Sequence, residues 1–303
     1  MQSQIDNRHV QAVHSAANQS RVINSGLRKT LRVMAAVSLF VFALSLASPM
    51  AHANLISNGG FESTSGTAPG SFLSVQPTGW QCTNPGICSP AAEIFAPGTA
   101  DAIPCDHNLT YCVYGPFPAT SPAGGNFLGL DACYGQGSGA CNAGYVSIYQ
   151  NVSGLKPGGT YTLTFYQAAG QWRGYSGPTN DQWEVGLGNI CIVNCGSGFV
   201  GDIEYSQIMH NASQGVVPWE QVTLNFTLPS NVGPDGVLSF VARSDVSVPP
   251  VVFLDGIDLE ETPEPATLLT FGSSLIGLSA VGLRQHLTRR RVTSARSETS
   301  SAS

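Results

Sequence analysis

The sequence is poor in charged residues, and the basic ones are unevenly placed. Charged side chains make up 11% of the 303 residues. Between positions 54 and 262 there are sixteen acidic residues but only three basic ones, Lys156, Arg173 and Arg243. An acidic region repels phosphate backbones, so we expect no nucleic-acid partner. The same balance suits divalent cations or neutral ligands, or simply keeps a domain soluble.

Motifs of common hydrolases are also missing. No G-x-S-x-G element of the α/β-hydrolase type occurs in the chain. The middle region has two histidines, His107 and His210, and no catalytic motif surrounds either. Paired carboxylates such as Asp181 and Glu184 leave glycoside hydrolysis open, because sequence spacing does not give a separation in space. We therefore expect a protein that is not an enzyme, with a polysaccharide hydrolase as the weaker alternative.

Helical periodicity is absent from the middle region, where short alternating segments take its place. The 34 glycines and 19 prolines favour many turns. Turn residues at 154–159 separate two of the alternating segments. Short strands with such turns predict an all-β fold, a two-sheet antiparallel sandwich. The predicted strands are Tyr145–Val152, Tyr161–Phe165, Trp219–Leu228, Val237–Ala242 and Val251–Leu259.

Eight cysteines lie in the middle region, and none forms a C-x-x-C motif. Their even number and close spacing favour disulfides, which require an oxidising compartment, over a zinc site. Four disulfides between sequence neighbours are the simplest arrangement, although eight cysteines allow 105 pairings. The cysteines are Cys82, Cys88, Cys105, Cys112, Cys133, Cys141, Cys191 and Cys195.

The first 53 residues have the pattern of a secretory signal peptide with a long polar n-region. Arg28, Lys29 and Arg32 precede an apolar run over Val33–Leu46. The small-residue site Ala51–Ala53 follows, with cleavage predicted directly after it. An apolar run of about 14 residues is short for a stable membrane span. The sequence therefore predicts export, with one extracytoplasmic domain over 54–261.

The C-terminal end combines a short motif, an apolar stretch and a basic cluster. Pro263, Glu264 and Pro265 precede an uncharged apolar stretch, for which we predict a transmembrane helix at about 267–283. By the positive-inside rule, the basic residues after it would stay in the cytoplasm. These residues are Arg289, Arg290 and Arg291.

This order of features resembles the PEP-CTERM sorting signal of Gram-negative bacteria over residues 262–291. The resemblance implies that an exosortase-type membrane protease recognises the Pro-Glu-Pro triplet and removes the helix. The protein would begin as an inner-membrane-anchored precursor and then reach the cell surface or the extracellular matrix. A Ser- and Thr-rich tail over 292–303, expected to be disordered, departs from the usual pattern, which ends soon after the basic cluster.

The middle region resembles the galactose-binding-like jelly rolls found in many carbohydrate-binding modules. The likeness rests on Asn54–Glu62 with Thr78–Trp80, on 146–165 and on Val252–Leu259. In those relatives the first and last strands often share a structural calcium ion. The resemblance therefore implies a structural calcium ion here. The candidate ligands are Asn58, Glu62 and Asp255.

Aromatic and polar residues that follow the second predicted strand indicate a candidate glycan site. A flat ring beside amide and carboxylate groups suits the face and the hydroxyls of a sugar, and loops of a sandwich often carry such residues. The opposing interpretation is that the two tryptophans close the ends of the core. The candidate residues are Trp172, Arg173, Tyr175, Asp181 and Trp183.

Two functional hypotheses remain from the sequence. The first is an exported, non-catalytic protein with a structural or adhesive role in the envelope or the exopolysaccharide matrix. The second is a carbohydrate-binding module that recognises an exopolysaccharide. The expected partners are the processing protease, the membrane before processing and, under the second hypothesis, a polysaccharide.

Overall fold

The computed structural model describes residues 53–83, 85, 88, 91–105, 112–133, 146–189, 200–246 and 248–262. The predicted signal peptide up to residue 52, the Pro263–Pro265 motif, the helix at 267–283 and the Arg289–Arg291 cluster lie outside these residues. Within them, no helix has the length and apolar character needed to cross a membrane. The compact unit that contains the described residues begins at Ala53.

The described residues form β-strands that alternate with turns. The strands are β1 (Gly70–Ser71), β2 (Trp80–Cys82), β3 (Ala92–Phe95), β4 (Phe127–Asp131), β5 (Ser147–Ser153), β6 (Thr160–Gln171), β7 (Thr179–Asn189), β8 (Val200–Tyr205), β9 (Met209–Asn211), β10 (Val217–Thr227), β11 (Asp235–Ser244) and β12 (Pro250–Glu261).

The strands form two antiparallel sheets. The first sheet has the order β1-β3-β4-β12-β6-β10, and the second has the order β2-β5-β11-β7-β8, with β9 paired to β7. The prediction of an all-β fold with two antiparallel sheets is confirmed, and the strand order is consistent with a jelly-roll sandwich.

The five predicted strands correspond to β5, β6, β10, β11 and β12. The turn at 154–159 has the predicted chemistry, and it carries the chain from β5 in the second sheet to β6 in the first. The structure extends β6 to Gln171 and adds β7, which begins at Thr179. Asp181 and Trp183 therefore lie on a strand, and the predicted loop is limited to the turn before it.

The main hydrophobic core lies between the sheets. It includes Val252 and Leu254 of β12 on one side and Trp183 and Phe240 on the other. Because successive residues of a strand point to opposite faces, Val251 and Phe253 must face away from this core. They belong instead to a second hydrophobic cluster, which therefore covers the opposite face of the first sheet.

The second cluster is aromatic and is closed by the segment that links β3 to β4. Phe117 from this segment packs against Phe253 with ring centroids 4.4 Å apart. Val113, also from the segment, bridges to Trp172 just after β6. Both faces of the first sheet are therefore buried here.

Two disulfides between sequence neighbours confirm part of the predicted set. Cys82 pairs with Cys88, and Cys105 pairs with Cys112, with Cα–Cα distances of 6.4 and 5.6 Å. Cys133 is also disulfide-bonded. Cys141, Cys191 and Cys195 lie outside the described residues. Disulfides persist in oxidising compartments, so these bonds indicate a protein that works outside the cytoplasm.

Candidate functional site

A groove lies on the outer face of the second sheet. On β7, Trp183 and Val185 point into the main core, so Gln182 and Glu184 point to the opposite face. A cavity of about 490 Å³ opens on that face. We call it the outer groove; it is lined by Asn180, Gln182, Glu184, Tyr205, Ile208, His210, Arg243, Ser244 and Asp245.

Hydrogen bonds order the polar side chains at one end of the outer groove. The Asn180 amide donates to the Asp245 carboxylate at 2.6 Å, and the Asn180 backbone N–H donates to the same group at 3.1 Å. Nδ1 of His210 donates to Oδ1 of Asn180. Because Asn180 is held from both sides, the imidazole and the carboxylate are presented in a fixed arrangement.

A charged pair crosses the floor of the groove. Nε of Arg243 donates to Oε2 of Glu184 at 2.9 Å, and Nη2 donates to the same oxygen. Glu184 is also the cross-strand partner of Tyr205. Partial burial, and then the Glu184 carboxylate, raises the pKa of Tyr205. The phenol is therefore protonated at neutral pH and can act as a hydrogen-bond donor.

Apolar surface accompanies these polar groups. The Tyr205 side chain is 53% exposed and Ile208 is 51% exposed, which places both among the few exposed large hydrophobic residues of the described chain. The outer groove therefore joins an accessible aromatic ring to amide, carboxylate, guanidinium and imidazole groups. Such a combination binds a ligand with an apolar face and many hydroxyl groups.

A second depression lies at the opposite end of β7 and β11. It measures about 440 Å³, and Asn151, Asn189, Asp235 and Val237 are among its lining residues. Its lining contains no aromatic side chain. We therefore place the candidate site at the outer groove.

The prediction of a glycan site built on Trp172 and Trp183 is wrong. Trp172 is 1% exposed and Trp183 is fully buried, so neither ring can stack on a sugar. Their indole N–H groups donate to Asp131 Oδ2 at 3.0 Å and to the Phe253 carbonyl at 3.2 Å. Asp181 is fully buried as well, because it lies on the core face of β7. The alternative interpretation, in which the tryptophans belong to the core, is correct.

Arg173 and Tyr175 lie in the turn between β6 and β7 and do not line the outer groove. Nη2 of Arg173 donates to the Asp101 carbonyl at 3.2 Å, and its guanidinium lies 5.7 Å from the centre of the Tyr114 ring. Tyr175 is 42% exposed. It is therefore an accessible tyrosine outside the candidate site.

Of the three predicted calcium ligands, the structure leaves Glu62 and Asp255 together and engages Asn58 elsewhere. The Asn58 amide donates to the carbonyls of Ser63 and Thr78, and its oxygen accepts the Ser63 N–H, so this side chain closes its own turn. Carboxylate oxygens of Glu62 and Asp255, in contrast, lie 4.0 and 3.6 Å from the position that a Cβ on Gly60 would occupy. The arrangement fits a cation held by these two carboxylates and does not fit Asn58 as a side-chain ligand.

The pKa of Asp255 is unusually high, and burial is the main cause. Burial and the nearby Glu62 charge raise its pKa to about 7, against the lowering effect of hydrogen bonds from Ser121 and Gly256. Two oxygens of a buried carboxylate and one neighbouring carboxylate are hard ligands of the type that Ca²⁺ prefers. Within the described residues, no three His, Cys, Asp or Glu side chains lie close enough together to hold a metal ion.

The other strongly shifted acids are also buried. Burial raises the pKa of Asp131 to about 6 and that of Asp181 to about 7. Neither these residues nor Asp255 lines the outer groove. The groove carboxylates, Glu184 and Asp245, are instead paired with Arg243 and Asn180. This arrangement suits binding of hydroxyl groups.

Sequence reasoning missed most of the outer groove. Its residues come from β7, β8, β9, the end of β11 and the adjoining turns, and β7, β8 and β9 were not predicted. The available signal was the alternation over Asn180–Glu184. Asn180, Gln182 and Glu184 form one set of alternate positions, and Asp181 and Trp183 form the other. That alternation indicates a strand with one polar face, and the polar face is the one that lines the groove.

No protein-family model and no curated protein matches the chain. Several solved structures are distantly similar. An arabinose-bound α-L-arabinofuranosidase, MgGH51, is 16% identical over 69% of this chain, which spans 26% of that protein, with a TM-score of 0.41. TmCBM61 in complex with β-1,4-galactotriose is 12% identical over 69% of this chain and 99% of its own, with a TM-score of 0.33. The CBM22-1 xylan-binding domain of Paenibacillus barcinonensis Xyn10C is 14% identical over 72% and 99%, with a TM-score of 0.34.

Proposed function

We propose that this chain is an exported, non-catalytic protein that binds a polysaccharide in the outer groove. The observation that supports this is the exposed Tyr205 ring beside a fixed set of polar side chains. A sugar ring presents an apolar face and an edge of hydroxyl groups. The tyrosine and Ile208 would cover the apolar face, while Asn180, Arg243 and Asp245 would bind the hydroxyls.

Tyr205→Ala tests this site directly. An array of neutral and acidic polysaccharides is first screened with the full chain, and the affinity for the best ligand is then measured by calorimetry. We expect the variant to bind about tenfold more weakly, because an aromatic anchor in a binding site contributes more than about 1 kcal/mol.

Tyr175→Ala is the matched control, because Tyr175 is also an exposed tyrosine but lies outside the groove. Its affinity should equal that of the wild type. Equal losses in the two variants would remove the outer groove as the site. Retention of no polysaccharide at millimolar concentration would leave the structural or adhesive role as the function, and release of reducing ends would identify a hydrolase.

The Pro263–Pro265 motif and the residues after it are proposed to act as a PEP-CTERM sorting signal. This proposal rests on the order of triplet, apolar stretch and basic cluster in the sequence. Under it, an exosortase-type protease removes the C-terminal helix and the domain reaches the cell surface or matrix. Mass spectrometry of the mature protein decides the matter: a C-terminus near residue 263 supports processing, and an intact Ser303 contradicts it.

Glu62 and Asp255 are proposed to hold a structural calcium ion. The proposal is supported by oxygens of both carboxylates that lie within 4.0 Å of the Cβ position of Gly60, and by Gly125, where any Cβ would overlap the Glu62 carboxylate. A bound ion would favour the charged form of the Asp255 carboxyl beside Glu62. Addition of Ca²⁺ to EDTA-treated protein should raise the melting temperature, and Glu62→Gln should reduce that rise.

A further inference from the structure

Glu184 of β7 is reached from both neighbouring strands on the outer face of the second sheet. In this sheet β8 lies on one side of β7 and β11 lies on the other. Glu184 is paired with Tyr205 of β8 and with Val241 of β11. Arg243 follows Val241 by two residues and therefore points to the same face of β11. It approaches Glu184 along the diagonal between the two strands, a distance that long side chains can span.

Three donors converge on the Glu184 carboxylate. Nε of Arg243 donates to its Oε2 atom at 2.9 Å, and Nη2 of Arg243 donates to the same oxygen. The Tyr205 hydroxyl donates to Glu184 as well. The ion pair is partly shielded from solvent, since the side chains of Arg243 and Glu184 are 29% and 16% exposed. One carboxylate thus engages both the guanidinium and the exposed aromatic residue of the outer groove.

The engagement of Arg243 matters because a guanidinium is well suited to bind the carboxylate of an acidic sugar. Its planar N–H groups match the two oxygens of a carboxylate in a bidentate arrangement. In the outer groove, the Nε and Nη2 donors are already directed to Glu184. A uronic acid that approached Arg243 would have to displace Glu184. The displaced carboxylate would remain beside the ligand with like charge, which disfavours the complex.

We propose that Glu184 is the residue that makes the outer groove select neutral sugars and reject uronic acids. The inference rests on the proposed polysaccharide-binding function and adds the specificity determinant of that site. Glu184 occupies the position that the carboxylate of an acidic sugar would take on Arg243. Hydroxyl groups of a neutral sugar need no such displacement, because Asn180 and Asp245 also line the groove.

The local ion pair and the acidic balance of the whole domain act over different distances. Charges spread over the surface are largely screened beyond about 8 Å at physiological ionic strength. The contact between Arg243 and Glu184, at 2.9 Å and partly buried, is screened much less. The selectivity that remains at physiological salt is therefore the part that Glu184 contributes.

Glu184→Gln tests the proposal, because the amide keeps the size of the side chain and removes its charge. Affinities of the full chain for polygalacturonate, for alginate and for the best-bound neutral polysaccharide are measured by calorimetry with EDTA at about 0.15 M salt. The quantity compared is the ratio of polyuronate affinity to neutral affinity. We expect this ratio to rise about tenfold in the variant, because hydrogen bonds between charged partners are the strong ones.

Further variants assign the gain to Arg243. When Arg243→Gln is added to Glu184→Gln, the guanidinium is removed and the gained polyuronate affinity should disappear. Asp235→Asn makes the same change in net charge at the other end of β11, outside the outer groove, and should leave the ratio at the wild-type value. Glu184→Ser carries the same expectation as Glu184→Gln and replaces it if that variant does not fold.

The outcomes separate this proposal from the proposed function. If the wild type and all variants retain no polysaccharide, the binding function fails and the role of Glu184 fails with it. If Tyr205→Ala weakens neutral binding but Glu184→Gln leaves the ratio unchanged, the groove remains the site and the role of Glu184 is overturned. An equal rise in the ratio for Asp235→Asn would also overturn it, because net charge would then set the selectivity.

Discussion

Gly129 shows how one small residue permits the aromatic cluster on the first sheet. A Cβ at this position would lie 2.8 Å from the Phe95 ring and 2.9 Å from the Phe253 ring. Both rings are fully buried. Gly129→Ala should therefore lower the free energy of unfolding by about 1–3 kcal/mol, the usual cost of overpacking. Denaturant titration of the full chain measures this loss.

Gly233→Ala is the appropriate comparison for Gly129→Ala. The nearest atom to a Cβ at Gly233 belongs to Asn189 at 3.4 Å, which is an ordinary contact. This variant should unfold within about 0.5 kcal/mol of the wild type, as surface substitutions usually do. Equal losses for the two glycines would show that ring crowding is not the cause.

Asp131 makes stability depend on pH. Burial raises its pKa from 3.8 to about 6, although the Cys133 N–H and the Trp172 indole oppose the shift. The folded state therefore binds this proton more tightly than the unfolded state does. The resulting stabilisation is full below about pH 4 and is lost as pH rises through 6, with a size of about 3 kcal/mol.

Asp131→Asn isolates this contribution, since an amide does not titrate. Unfolding free energies measured with EDTA between pH 4 and pH 8 should fall more steeply for the wild type than for the variant. The variant is also expected to lose absolute stability, because its amide cannot accept from both Cys133 and Trp172. The slope is therefore the informative quantity, and identical slopes would contradict the shifted pKa.

Trp172 and Trp183 show why the outer groove was not predicted from sequence. Both tryptophans stand among polar residues, which is typical of an exposed loop. In a strand, however, polar neighbours point to the opposite face, so Trp183 is buried between Gln182 and Glu184. The residues of the polar face were visible in the sequence, but their partners on β8, β9 and β11 depend on strand order.

Among the elements, the long strands were predictable and the sheet order was not. Segments within β5, β6 and β10 alternate between apolar and polar residues, and segments within β11 and β12 complete the predicted set. The segment 154–159 was recognised as a turn from its glycines and proline. Turn chemistry does not state which sheet the next strand joins, so the crossing from β5 to β6 required the structure. The outer groove depends on this long-range pairing.

The segment between β3 and β4 owes part of its stability to the Cys105–Cys112 disulfide. This segment contributes Val113 and Phe117 to the aromatic cluster. A disulfide that closes a loop of this size stabilises a protein by roughly 2–3 kcal/mol. The double variant Cys105→Ser, Cys112→Ser should lose that amount in denaturant unfolding, with Phe117 and Trp172 becoming more accessible to solvent.

Fluorescence separates this effect from general unfolding. Removal of the disulfide should expose Trp172 to a soluble quencher while Trp183, in the main core, stays protected. Trp172→Phe in the same background identifies the contribution of Trp172 to the quenched emission. An unchanged unfolding midpoint would show that packing alone holds the segment against the first sheet.

At the scale of the whole molecule, acidic charge dominates the exported domain. Sixteen acidic residues face three basic ones between positions 54 and 262, and Arg243 and Lys156 are already in ion pairs. The outer groove follows the same balance, with Glu184 and Asp245 against Arg243. A polyanionic chain that approached this surface would meet repulsion at low ionic strength.

The acidic surface therefore predicts a preference for neutral polysaccharides over polyuronates. In affinity electrophoresis at low salt, neutral polysaccharides should retard the full chain and polyuronates should not, because like charges repel across an unscreened distance of about 10–30 Å. Added salt should leave neutral binding nearly unchanged and reduce the difference between the two classes. Tyr205→Ala, as the groove control, should bind the neutral ligand about tenfold more weakly and be retarded correspondingly less. Stronger retardation by a polyuronate at low salt would contradict this prediction. It would mean that Arg243 leaves Glu184 to bind carboxylates, and that the groove residues rather than the net charge select the ligand.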